Sequence, residues 1–238
     1  MATKRSYEDG CAAAHGLDLV GERWALLVAR ELMLGPKRFT DLRAGLPGIS
    51  PNVLTERLEE LERVSIVQRR RLPPPAATWV YELTEWGREL EPVMMALGRW
   101  AARSPVLPMG NSINADALIL SFRTMFDGQK ARGFDAEMEF RLGESTYNAI
   151  ISDGEANFQP GSALSPGVVV QTDPNTLAGV VYGGLKLAEA IRAGNFQVTG
   201  DRNVLKRFVT FFPMPERAPE LFSAPVPSAK ARAAGSGR

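Results

Sequence analysis

Histidine and cysteine are nearly missing from this chain of 238 residues, which holds one of each, His15 and Cys11. A single cysteine excludes an intramolecular disulfide framework and fits a reducing compartment. A single histidine leaves no set of metal-ligating partners, so His15 reads as structural and no metal is expected. A glycine-rich phosphate loop and a Ser/His/Asp set are absent too, which removes the common signatures of nucleotide-dependent and nucleophilic catalysis. No catalytic residue and no cofactor follow, and the chain reads as a non-enzyme. No apolar run spans a bilayer and no signal peptide is recognisable, so the expectation is a soluble, cytoplasmic protein with no membrane partner. The net charge is only +1, so there is no global basic signature. Basic charge is local instead: Lys37, Arg38, Arg43, Arg57, Arg63, Arg69, Arg70 and Arg71 stand among five acidic residues of the same stretch. An excess that modest makes binding rely on geometry and dimerisation as well as attraction. The length suits two modest domains.

The stretch 50–71, SPNVLTERLEELERVSIVQRRR, organises the rest. Ser50 is a good N-cap, and Pro51 falls at the first helical position, where its missing N–H is not needed. Val53, Leu54, Leu58, Leu61 and Val64 recur at helical spacing as an apolar stripe. The other face carries Asn52, Thr55, Glu56, Arg57, Glu59, Glu60 and Arg63. A helix with its hydrogen-bonding groups at the N-terminal end is what a duplex reader presents to the major groove. Two β-like runs follow, around Val67 and Val80, flanking the proline-rich tip 72–77 with Arg69, Arg70 and Arg71 at its base. This is a hairpin with a stiff loop, a wing whose arginines would meet phosphates and give affinity more than sequence choice.

Residues from about 11 to 100 resemble the HxlR-type winged helix-turn-helix transcription regulators. The resemblance rests on LDLVGERW at 17–24, LGPKRFTDL at 34–42, LPGISPNVL at 46–54, LEEL at 58–61 and YELTEWG at 81–87. It implies a homodimer that binds a roughly palindromic operator in double-stranded DNA and regulates neighbouring genes, most simply as a repressor. By the same analogy the first helix and a long helix over 85–102, with Leu90, Val93, Met94, Leu97 and Trp100 on one face, form the dimer interface. Other helices are expected over 11–17, over 22–34 with Trp24, Leu27, Val28 and Leu32 turned inward, and over 39–46.

For DNA the candidates are Ser50 and Asn52 at the helix start, Thr55 and Arg57 one turn on, and Lys37, Arg38, Arg69, Arg70 and Arg71 on phosphates. Asn pairs bidentately with adenine and Arg with guanine. Arg57 has an alternative partner in Glu60 at i,i+3. Cys11 has two readings, a small buried hydrophobe or a redox or electrophile sensor, the second a role that some HxlR-type members give to a cysteine near the start of the first helix. Lys4, Arg5 and His15 favour its thiolate, whereas Glu8 and Asp9 oppose it.

Prolines, Gly110 and Asn111 mark a linker at 104–113 between a DNA-binding domain at 1–103 and a second domain at 114–212. In the second domain a helix over 114–126 precedes strands over 134–141, 145–152, 155–159 and 167–172. Asp173-Pro174 then caps a helix as Ser50-Pro51 does, and a helix, a short strand and a last helix over 201–212 follow. VVVQTDPNTL at 168–177, AIRAG at 190–194 and VTGD at 198–201 resemble the sterol carrier protein type 2 fold, an α/β domain around an apolar cavity. That resemblance implies a small apolar or fatty-acyl ligand lined by Phe122, Met125, Phe126, Val181, Leu185, Phe208, Phe211 and Phe212. Pro, Ala, Gly and Ser dominate 213–238, which reads as a disordered tail. The fold class is α+β. The alternatives are a regulator responding through Cys11 with a purely structural second domain, and a lipid carrier with a vestigial wing.

Overall fold

The computed structural model describes residues 6–108 and 110–219. The chain is a mixed α+β structure with two hydrophobic cores. The first core is built by α1 (Ala12–Val20), α2 (Ala25–Leu32), α3 (Phe39–Gly45) and α4 (Pro51–Arg63), followed by β1 (Val67–Arg71) and β2 (Trp79–Leu83). Val28, Leu42, Leu54, Leu58 and Leu61 meet in its centre, the helical-period stripes of three helices closing on one another. Leu27, expected inward, is 37% exposed on the outer side of α2. The wing strands pair antiparallel from Val67 opposite Leu83 to Arg71 opposite Trp79.

The segment expected as one helix over 85–102 is two, α5 (Glu85–Arg88) and α6 (Leu90–Ala102). Pro92 explains the break: it has no N–H for the Arg88 carbonyl, and its ring crowds that carbonyl, so a new helix starts just before it. Among the described residues no helix is long and apolar enough to cross a membrane.

The second core lies under a five-stranded sheet of order β5-β4-β3-β6-β7. Its strands are β3 (Ala136–Leu142), β4 (Ser145–Ser152), β5 (Glu155–Pro160), β6 (Val168–Thr172) and β7 (Phe196–Gly200), and only β3 and β6 run parallel. Met138, Phe140, Leu142, Ala149, Ile151, Phe158, Val168 and Val170 point to one face, as the period of two requires. That face packs on α7 (Ala115–Met125), α8 (Pro174–Val181), α9 (Leu187–Arg192), α10 (Arg202–Phe208) and a 3-10 turn at Val209–Phe211.

Here the structure corrects the ligand cavity. Phe122, Phe208, Phe211 and Phe212 are at most 2% exposed. The Phe122 ring lies 4.7 Å from that of Phe212 and 5.7 Å from that of Phe208, centroid to centroid, so the rings fill the space they were expected to line. Val181 is half-buried against this core and Leu185 is partly exposed at its margin. Met125 and Phe126 instead line an open cleft of about 380 Å³ between α6 and α7, with Trp100 and Pro213. Residues 213–219 run without regular structure along the end of α6, where Arg103 donates from Nε to the Glu216 carbonyl and accepts from the Ala218 N–H. The rest of the expected disordered tail, 220–238, lies outside the described residues, as do Lys4 and Arg5.

Candidate nucleic-acid interface

The α4 helix starts as its sequence dictates. The Ser50 Oγ accepts from the Val53 N–H at 3.3 Å, and Pro51 occupies the first turn. The Ser50 oxygen is therefore engaged in the cap, which leaves its proton for an outside acceptor. Asn52, Thr55, Glu56 and Glu59 stand exposed along one stripe at i, i+3, i+4 and i+7. Three residues after the helix the wing begins, and its Arg69, Arg70 and Arg71 are all exposed.

Each wing arginine has a distinct setting. The Arg69 guanidinium stacks on the Trp79 ring at 4.6 Å and approaches Tyr81 at 5.8 Å. Arg70 pairs with Glu82 at 2.7 Å, a carboxylate that also accepts from the Gln68 side chain. Among the described residues Arg71 makes only a long bond from Nε to the Ala77 carbonyl, 3.4 Å. Trp79, half exposed beneath Arg69, was not among the expected site residues, and its only signal was its place opposite Arg71 in the hairpin. Arg38, just before α3, is exposed; the Asp41 carboxylate accepts from its backbone N–H.

Two expected DNA contacts are placed elsewhere. Arg57 is 7% exposed and turned to the inner flank of α4. Its guanidinium lies 2.6 Å from Glu60, 3.1 Å from Glu56 and 3.8 Å from Glu22 in the α1–α2 connection, so the i,i+3 pair with Glu60 wins over a base contact. A side chain held by three carboxylates loses those pairings if it swings out to a groove. Lys37 is also withdrawn from phosphate. It sits between Glu31, at 2.6 Å, and Asp116 of the second domain. Its backbone bridges that of Tyr81 on the wing.

Lys37 belongs to a junction that local patterning gave no sign of. Glu31 is 1% exposed on α2 and pairs with Arg30 at 2.7 Å as well as with Lys37. The Asn114 amide donates to Glu31 at 3.0 Å and to the Gly45 carbonyl at 2.8 Å, while its oxygen caps α7 by accepting from Ala117. Gly45 leaves room for this arrangement, because a Cβ there would push the Glu31 carboxylate out of it. On the far side, Tyr147 donates to Asp116 at 2.6 Å. Burial first, and then the Asp116 carboxylate, push the Tyr147 phenol up, so it remains a donor.

Cys11 is exposed at the N-terminus of α1, not a buried hydrophobe. The backbone amides of Ala13, and secondarily Ala14, hold its thiol below the ordinary value, as a helix start does for an anion. An apolar face on α6, with Val93 at 55%, Leu97 at 41% and Trp100 at 74% exposure, is open to solvent, and so is Leu17 on α1 at 54%.

Residues 19–105 match the model of the HxlR-like helix-turn-helix family, and residues 109–219 match that of the alkyl sulfatase C-terminal family. The second match makes the C-terminal half a sheet-rich domain similar to an alkyl sulfatase C-terminus. For that half the sec-alkylsulfatase Pisa1 from Pseudomonas sp. is 23% identical, with 41% of this chain aligned to 15% of that enzyme at a TM-score of 0.36. For the first half, the HTH-type transcriptional regulator YodB of Bacillus subtilis is 43% identical over 83 residues, 35% of this chain and 74% of the relative. Its reduced form, a solved structure, aligns at 37% identity over 42% of this chain and 99% of its own, with a TM-score of 0.38. YvaP of the same organism, another HTH-type transcriptional regulator, is 36% identical over 85 residues, 36% of this chain and 79% of the relative. With these relatives matched over most of their length, the chain belongs to the HxlR-like helix-turn-helix family of transcriptional regulators.

Proposed function

We propose that the protein is a homodimeric repressor that binds a roughly palindromic operator. The N-terminal half of α4 reads bases through Asn52 and Thr55, with Ser50 at its start, and Arg38, Arg69, Arg70 and Arg71 hold phosphates. The observation that carries this reading is the exposed polar stripe of α4 followed directly by three exposed wing arginines. The exposed apolar face of α6 supports a two-fold pairing, since an isologous interface would cover Val93, Leu97 and Trp100, and Leu17 on α1 is a further exposed apolar residue. The interlocked phenylalanines weigh against an apolar ligand inside the second domain. That domain acts instead as a structural module docked on α2 and α3 through Asn114 and Lys37.

Gel-shift titration of two variants on an isolated operator tests the assignment. Arg71→Ala is expected to weaken binding to every duplex and to reduce the salt slope by about one. Asn52→Ala is expected to relax preference at one base position, with a loss of about tenfold on the operator and little change on unrelated DNA. Arg71 is preferred to Arg70 for this test because Glu82 already engages Arg70. Equal, sequence-independent losses in both variants would remove α4 from the base-reading role.

The exposed thiol favours a second reading, a redox or electrophile response through Cys11 added to the same DNA binding. Treatment with diamide or a quinone is expected to lower operator affinity about tenfold in the wild type. Cys11→Ser should be unaffected. A response that survives the replacement, or none in either protein, contradicts it.

A further inference from the structure

The first two turns of α4 present no cation to a duplex. Their one basic side chain, Arg57, is buried. What the helix offers beyond Asn52 and Thr55 is the carboxylate of Glu56, one turn after Asn52 on the same stripe, with Glu59 behind it. A carboxylate facing DNA is repelled by phosphates, and in the major groove its best partner is the N4 amino group of cytosine, since the N6 amino group of adenine stands beside the N7 acceptor. Glu56 is equipped for that contact. The Arg57 guanidinium lies 3.1 Å from one of its oxygens and also lies 2.6 Å from Glu60 and 3.8 Å from Glu22. That contact steadies the Glu56 carboxylate and offsets its repulsion by phosphates, while its second oxygen pairs with no cation among the described residues. We propose that Glu56 is a specificity-determining residue that reads a cytosine in each operator half-site, so that α4 selects without an arginine–guanine contact. The inference rests on the reading of α4 as the base-reading helix.

The test is selection from a pool of duplexes with randomised half-sites, using the full chain as wild type, Glu56→Gln and Glu56→Ala. The Glu56 side chain is 59% exposed, so both variants keep the fold. The wild type is expected to favour cytosine at one position of each half-site by about tenfold. Glutamine sets a donor beside its acceptor, the pattern that suits adenine, so Glu56→Gln should shift that position from cytosine to adenine. Glu56→Ala should show no preference there, and both variants should keep the remaining positions unchanged. If both variants retain the wild-type base preferences and merely bind all duplexes more tightly, Glu56 is a surface charge and the inference is overturned while operator binding stands. If the wild type itself enriches no sequence, the operator reading falls and the inference falls with it.

Discussion

Phe122→Ala is expected to lower the unfolding free energy by about 4 kcal/mol, the cost of emptying a packed aromatic site. The Phe122 side chain is fully buried, and rings from Phe140, Phe158, Tyr182, Phe208 and Phe212 surround it within 6.3 Å, centroid to centroid. Its neighbours come from β3, β5 and α10, from the residue that ends α8 and from the residue after the 3-10 turn, so no single shift collapses the space left behind. Had these rings lined an existing ligand cavity, truncation would only enlarge a void, and its cost would stay near the transfer free energy of the removed atoms. Urea unfolding of wild type and variant, followed by intrinsic fluorescence, separates the two. A loss below about 2 kcal/mol would restore the cavity and with it the apolar-ligand reading.

Glu31→Ala should be nearly as damaging, at about 3 kcal/mol, because it removes the carboxylate that pairs with both Arg30 and Lys37 at a largely buried junction and leaves Lys37 with Asp116 alone. Glu31 is 1% exposed, and its two cations keep only 18% and 24% of their side-chain surface. The same change frees the Asn114 amide from α2, although the Gly45 carbonyl continues to accept from it. Because this junction touches α3 and, through Lys37, the wing strand β2, operator affinity is expected to fall along with stability. Unfolding and gel-shift titrations on one preparation check both. A variant of unchanged stability would show the Glu31 cluster to be an incidental surface network.

Local rules make most of the elements readable in the sequence. Ser50-Pro51 and Asp173-Pro174 each open a helix at the expected residue, with the side-chain oxygen accepting from the third residue on. Alternation of apolar and polar residues located β3, β4 and β5 to within a residue or two. Pro92 carried its own signal, and the helix break it causes follows from one missing donor. What stayed hidden depends on partners far along the chain. Nothing near Arg57 announces Glu22, and nothing near Lys37 announces Asp116, yet those carboxylates take both cations out of the candidate DNA surface. Phenylalanines at helical spacing read alike whether they line a cavity or fill a core, and only the ring-to-ring distances decide. The burial habit of cysteine favours an interior Cys11, and its place at an exposed helix start overrides that habit.

The central claim is that α4 and the wing grip an operator as a symmetric pair. Selecting fragmented genomic DNA on the purified full chain, and footprinting the retained fragments, tests it most directly. The account predicts a protected inverted repeat whose half-sites lie about one helical turn, or a multiple of it, apart. Retention of bulk DNA without enrichment, or protection of a single unrepeated site, would contradict it.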